Sequence, residues 1–137
     1  MYDPRGDPSG SARNGIGMDR QIEKALSSLH ARRMKGIFAE DCQEAKRQIL
    51  ELIPLDAIVG IGDSTSMRQL GIIDLLRKRG TRILNPFEPK PEEMDIRDYG
   101  LGRARIMKEA TVCTVFLTGS NALTEDGRLV NVDAVGN

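Results

Sequence analysis

The chain of 137 residues has no tryptophan, one histidine and two cysteines, and its 20 basic and 20 acidic side chains cancel. Each shortage removes a class of function. Without a basic excess there is no electrostatic footprint for a nucleic acid or an anionic membrane. Two tyrosines and three phenylalanines, scattered along the chain, make no base-stacking platform. Cys42 and Cys113 lie far apart, in neither a C-x-x-C pair nor a Cys/His cluster, so this chain alone builds no zinc or iron–sulfur site. Both read as buried free thiols behaving as small hydrophobes. His30 stands beside Arg32 and Arg33 in a helical pattern and reads as a solvated helix residue; alone, it excludes a His-based triad or a multi-His metal site. No metal site is expected. No apolar run is long enough to cross a bilayer, and MYDPRGDPSGSARNGIG at the start lacks the apolar centre of a signal peptide. Residues 1–17 read as a disordered tail, and the protein is expected in the cytoplasm, with neither membrane nor nucleic acid as partner.

What is present suits one soluble domain over residues 18–137: 39% of the residues are hydrophobic and 29% charged. Met18, Ile22, Ala25, Leu26 and Leu29 recur at helical spacing behind Asp19, a suitable N-cap, and Gly36 is expected to end that helix. IFAE, from Ile37 to Glu40, reads as a short strand. Asp41 followed by Glu44 starts a second helix, which stops at Pro54. DAIVGIG (Asp56 to Gly62) reads as a buried strand, MRQLGIIDLLRKRG as one helix closed by Gly80, and TRILNPF as a strand and turn. A further helix is expected from Pro91 to Ala110, with Gly100 and Gly102 as possible breaks. TVCTVFLTG is a second β-branched strand. RLVNVDA is a third, paired antiparallel with it across the TEDG turn. Strands alternating with helices predict an α/β layer structure with a mostly parallel, mixed sheet.

Two stretches have the composition of ligand-binding loops. GIGDSTS, between a strand and a helix, combines Gly60 and Gly62, which let backbone approach a ligand, with the hydroxyls of Ser64, Thr65 and Ser66. It lacks the G-K-[ST] ending of a phosphate loop and the third glycine of a dinucleotide fingerprint. Asp63 opposes a dianionic ligand unless a cation stands between them. The competing reading is a plain strand-to-helix turn capped by Asp63 or Ser64. The second stretch begins at Gly119, Ser120 and Asn121, just past an apolar strand, where open α/β sheets place ligands. It continues through the Glu125–Asp126–Gly127 turn to Asn131, Asp133 and Asn137. Asn131 and Asp133 alternate with Val130 and Val132 and so share one face. A hairpin with a merely solvated polar face is the alternative there.

TGSNALTEDGRLVNVDAVGN resembles the signature of the LUD domain, the lactate-utilization family that includes the LutC-type proteins. IGDSTSMRQLGIIDLLRKRG resembles that family's other glycine loop and the helix after it. The resemblance covers residues 19–137. It implies a fold like that shared by glucosamine-6-phosphate deaminase, ribose-5-phosphate isomerase and the CoA-transferases. Two departures stand out. Many relatives have glycine where this chain has Asp63, and the family pattern continues beyond Asn137, so an incomplete sheet is expected. The resemblance implies a component of a lactate-utilization system that oxidises L-lactate to pyruvate. Such a component binds a small anionic metabolite at the residues named above, while iron–sulfur clusters reside on partner proteins and this chain carries no cofactor. Two alternatives stay open. One is a CoA-transferase- or sugar-phosphate-isomerase-like enzyme, with Glu125 as nucleophile by its resemblance to the glutamate turn of CoA-transferases. The other is a non-catalytic assembly module.

Overall fold

Asp19 to Val132 are the residues described by the computed structural model. The expected tail, along with Met18, Asp133 and Asn137, lies outside them. Helix α1 (Arg20–Ala31) opens as its sequence predicts: the Asp19 carboxylate accepts the amide of Gln21. It ends at Ala31, five residues before Gly36, with Arg32 as its C-cap, and Arg33 takes a left-handed backbone with φ of 60°. Gly36 instead lies under the helix, where a Cβ would come within 2.7 Å of Leu26 and 2.9 Å of Leu29. Residues 37–40 form no strand. Ile37 and Phe38 are exposed and have no neighbouring strand to pair with.

Asp41 caps helix α2 (Cys42–Leu52) by accepting the amides of Gln43 and Glu44. The capping box is half made. The Glu44 side chain turns forward to Arg47 and Gln48, at 2.6 Å from each. Hydrogen bonds from Arg47 first, then Gln48, hold the Glu44 carboxyl down at about 2. A carboxyl depressed on folding contributes stability above its ordinary value of 4.5, lost as pH falls through about 2. Glu44→Gln is therefore expected to lower the urea unfolding midpoint slightly at neutral pH and to flatten its fall between those values, so that the two proteins converge near pH 2. At the far end of α2, Arg79 donates to the carbonyls of Leu50 (2.8 Å) and Ile53 (3.1 Å), which satisfies acceptors a helix terminus leaves open.

The β-branched run forms strand β1 (Ile58–Ile61), the centre of a parallel three-stranded sheet ordered β2-β1-β3. Strand β2 is Arg82–Leu84 and β3 is Val115–Leu117. One expected helix between β1 and β2 is in fact two, α3 (Thr65–Leu70) and α4 (Ile72–Lys78). Gly71 divides them with φ of 63°, a left-handed turn that glycine adopts without strain. Val59 and Ile61 pack with Ile72 and Leu76 of α4, and with Ile53 and Ala57, in a core cluster of buried side chains. Gly60 points to the other face, where a Cβ would lie 2.8 Å from Phe116, 2.9 Å from Cys113 and 3.3 Å from Ala110. Ala110 ends helix α5 (Ile96–Ala110), so α4 and α5 cover opposite faces of the sheet.

Helix α5 begins at the Asp95 cap rather than at Pro91, because residues 91–94 close their own turn through Met94 N–H to Pro91 O. It runs unbroken through Gly100 and Gly102, both in open space. The thiols also depart from expectation: Cys42 is exposed at the first position of α2, and Cys113 is half-buried between α5 and β3. The antiparallel pairing exists, but not with β3. Strands β4 (Ala122–Leu123) and β5 (Leu129–Val130) form a separate two-stranded hairpin around the TEDG turn, because the chain leaves the parallel sheet at Thr118 to Ser120.

Candidate functional site

The chain crosses from β1 to β2 over one face of the sheet and reaches β3 over the other. The border between β1 and β3 is therefore where the winding changes sides. In open α/β sheets such a point leaves a crevice outside the carboxyl ends of the two strands. A cleft of about 330 Å³ lies there, lined by residues 63–66 after β1, residues 118–121 after β3, and Asn131 and Val132 beyond β5.

The two loops are drawn together at their roots. The Gly62 amide donates to Leu117 O at 2.8 Å, and a Cβ on Gly62 would sit 2.7 Å from the Thr118 hydroxyl. A Cβ on Gly119 would collide with the Ser64 hydroxyl. These two glycines bring loop against loop. Ser64 is buried and accepts the Met67 amide at 3.3 Å as the cap of α3. The Asn121 side chain is likewise committed, its Oδ1 accepting the Val132 amide at 2.7 Å. Among the described residues the hydroxyls of Ser66, Thr118 and Ser120 and the amide of Asn131 make no side-chain hydrogen bond. All four line the cleft. Asp63 is ion-paired with Arg68 of α3, which also reaches Thr65 at 3.3 Å. The charge of Asp63 is thus countered within the same loop-and-helix unit.

Of the residues singled out in the sequence, the structure brings Ser64, Thr65, Ser66, Gly119, Asn121 and Asn131 together in the cleft. Gly60 lies away from it under α5, and Gly62 lies at its base. Glu125, Asp126 and Gly127 stand at the far end of the hairpin against α1. Glu125 pairs with Lys24 at 2.7 Å with about half its side chain exposed, outside the cleft. Hydrogen bonding and charge from Glu125 raise the Lys24 pKa, and the Thr124 hydroxyl, followed by Arg128 and Arg32, lowers that of Asp126. The Lys24 contribution is present below its ordinary value and lost as pH rises through the raised one. That of Asp126 is present above the ordinary carboxyl value and lost as pH falls through the depressed one, so neutral pH keeps both. Asp133 and Asn137 lie outside the described residues.

Arg68 and Thr118 were not singled out in the sequence. The only signals for them were a basic residue four positions after the cap Ser64, and a hydroxyl immediately past an apolar strand. Among the described residues no group of three or more His, Cys, Asp or Glu could hold a metal ion. No helix there is long and apolar enough to cross a membrane.

Comparison with known proteins agrees with the signature. The family model described as "LUD domain" matches residues 22–137. No curated protein and no solved structure matches the chain. With all but the first 21 residues inside the match, the chain belongs to the LUD domain family.

Proposed function

We propose that this protein acts in lactate utilization by holding a small carboxylate, L-lactate or pyruvate, in the polar cleft between β1 and β3, while iron–sulfur partner proteins carry the electrons. LUD domains are associated with lactate-utilization proteins. The observation that carries the ligand reading is the cleft itself: it lies at the switch point of the sheet and is lined by hydroxyls and amides. Its single carboxylate among the described residues, Asp63, is already matched by a guanidinium. Such a surface offers donors to a monoanion and to the hydroxyl or keto group beside it. The chemistry available is binding and orientation, and oxidation belongs to the partners.

The test is calorimetric titration of the full chain with L-lactate and pyruvate. Ser66→Ala, Ser120→Ala and Asn131→Ala are each expected to raise the dissociation constant by about five- to tenfold, the worth of one ordinary hydrogen bond. Unchanged affinity in all three contradicts the reading.

A further inference from the structure

The β4–β5 hairpin carries one wall of the cleft at its open end, through Asn121 and Asn131. Nothing in the parallel sheet holds that wall by strand pairing, since the hairpin is a sheet of its own. A two-stranded hairpin is marginal in water, and Leu123, Leu129 and Val130 are all exposed. Its turn end, however, is clasped by α1. Ser28 donates its hydroxyl to Glu125 O at 2.7 Å, and Arg32 Nε donates to Asp126 O at 2.9 Å. Lys24 closes the ion pair with the Glu125 carboxylate at 2.7 Å.

At Gly127 the two backbones touch. A Cβ there would lie 2.7 Å from the Ser28 carbonyl carbon and 2.9 Å from the Leu29 nitrogen. Inside the hairpin the load path is continuous. Gly127 N–H bonds Thr124 O at 2.9 Å, Thr124 N–H bonds Arg128 O at 3.0 Å, and Asn121 N–H bonds Val130 O at 3.0 Å. The Asn121 side chain then holds the Val132 amide at 2.7 Å. The hairpin is a short lever, gripped at one end and lining the cleft at the other.

We propose that α1 sets the position of the cleft's outer wall, with Lys24, Ser28 and Arg32 as positioning residues that act on the ligand site through the hairpin without touching it. The proposal takes its ligand from the cleft reading above, but its geometry is testable without any ligand.

The experiment is residue-resolved amide hydrogen exchange on the full chain and on the triple variant Lys24→Ala, Ser28→Ala, Arg32→Ala. The amides of Asn121 and Val132 are expected to exchange roughly tenfold faster in the variant, while the Gly62 amide in the parallel sheet keeps its rate. A paired variant, Lys24→Glu with Glu125→Lys, restores the ion pair with reversed charges. It is expected to return the two hairpin amides toward the rates of the unaltered chain relative to Lys24→Glu alone. Unchanged exchange at Asn121 and Val132, or an equal rise at Gly62, overturns the proposal. Failure of L-lactate or pyruvate to bind leaves these exchange results standing and counts against the ligand reading alone.

Discussion

Leu76→Ala is expected to destabilise the protein by about 3–4 kcal/mol, because a fully enclosed leucine leaves both its transfer free energy and a cavity behind. Leu76 is 0% exposed and packs with Val59, Ile61 and Ile72 in the cluster that joins α4 to the central strand. Relaxation around the hole is limited, because Val59 sits on the middle strand of the sheet and Ile72 starts α4 directly after the Gly71 turn. Leu55→Ala is the matched comparison. Leu55 is 79% exposed, and its truncation is expected to change stability by no more than about 0.5 kcal/mol. Urea unfolding of both variants checks the pair, and similar losses would contradict the placement of the core.

The second large effect is expected at Gly127. Alanine there meets two penalties at once. The backbone has φ of 78°, costly for any residue with a Cβ, and the new Cβ would press on the Ser28 and Leu29 backbone, which cannot swing aside as a side-chain tip can. The combined loss is expected to be about 2–4 kcal/mol, capped by the free energy with which the hairpin docks. Gly80 separates the two terms. Its φ is 82°, but nothing lies within 4 Å of its Cβ position, so Gly80→Ala is expected to cost only about 1 kcal/mol. Thermal unfolding of the two variants reads the difference, and equal losses would mean that Gly127 is not seated on α1.

Local signals in the chain were strong where a single residue decides the geometry. Asp19 and Asp41 cap helices because their carboxylates reach amides two or three residues ahead. The buried run around Val59 could scarcely be other than a central strand, and Asp126–Gly127 marked a hairpin turn. The losses came where a distant partner decides. IFAE has the residues of a strand but no strand beside it. Gly71 sits inside an unbroken apolar pattern, and only the packing of α3 and α4 shows that it splits the helix, whereas Gly100 and Gly102 leave α5 whole. TVCTVFLTG and RLVNVDA both look like strands, yet the turn at Gly119 and Ser120 sends them to different sheets.

The candidate site divided in the same way. The hydroxyl-rich loop after β1 and the Ser120–Asn121 segment after β3 were visible because composition and position relative to a strand are local properties. The role of Glu125 was not. Its partner Lys24 is 101 residues away, and no spacing in the sequence announces the ion pair. Once α1 is in place, the acidic turn is seen held against it, and the residues that line the cleft are those at the hairpin's other end. Arg68 was missed for a related reason: a helical arginine looks solvated until the carboxylate of Asp63 is found beside it.

The proposed binding of a small carboxylate in the cleft between the ends of β1 and β3 can be read out residue by residue. The most direct test is an amide chemical-shift map of the full chain, titrated separately with L-lactate and pyruvate. Saturable shifts are expected, concentrated in residues 63–66 and 118–121, with smaller ones at Asn131. The absence of saturable shifts, or shifts centred instead on the apolar groove around Phe87, Met107 and Phe116, would contradict it.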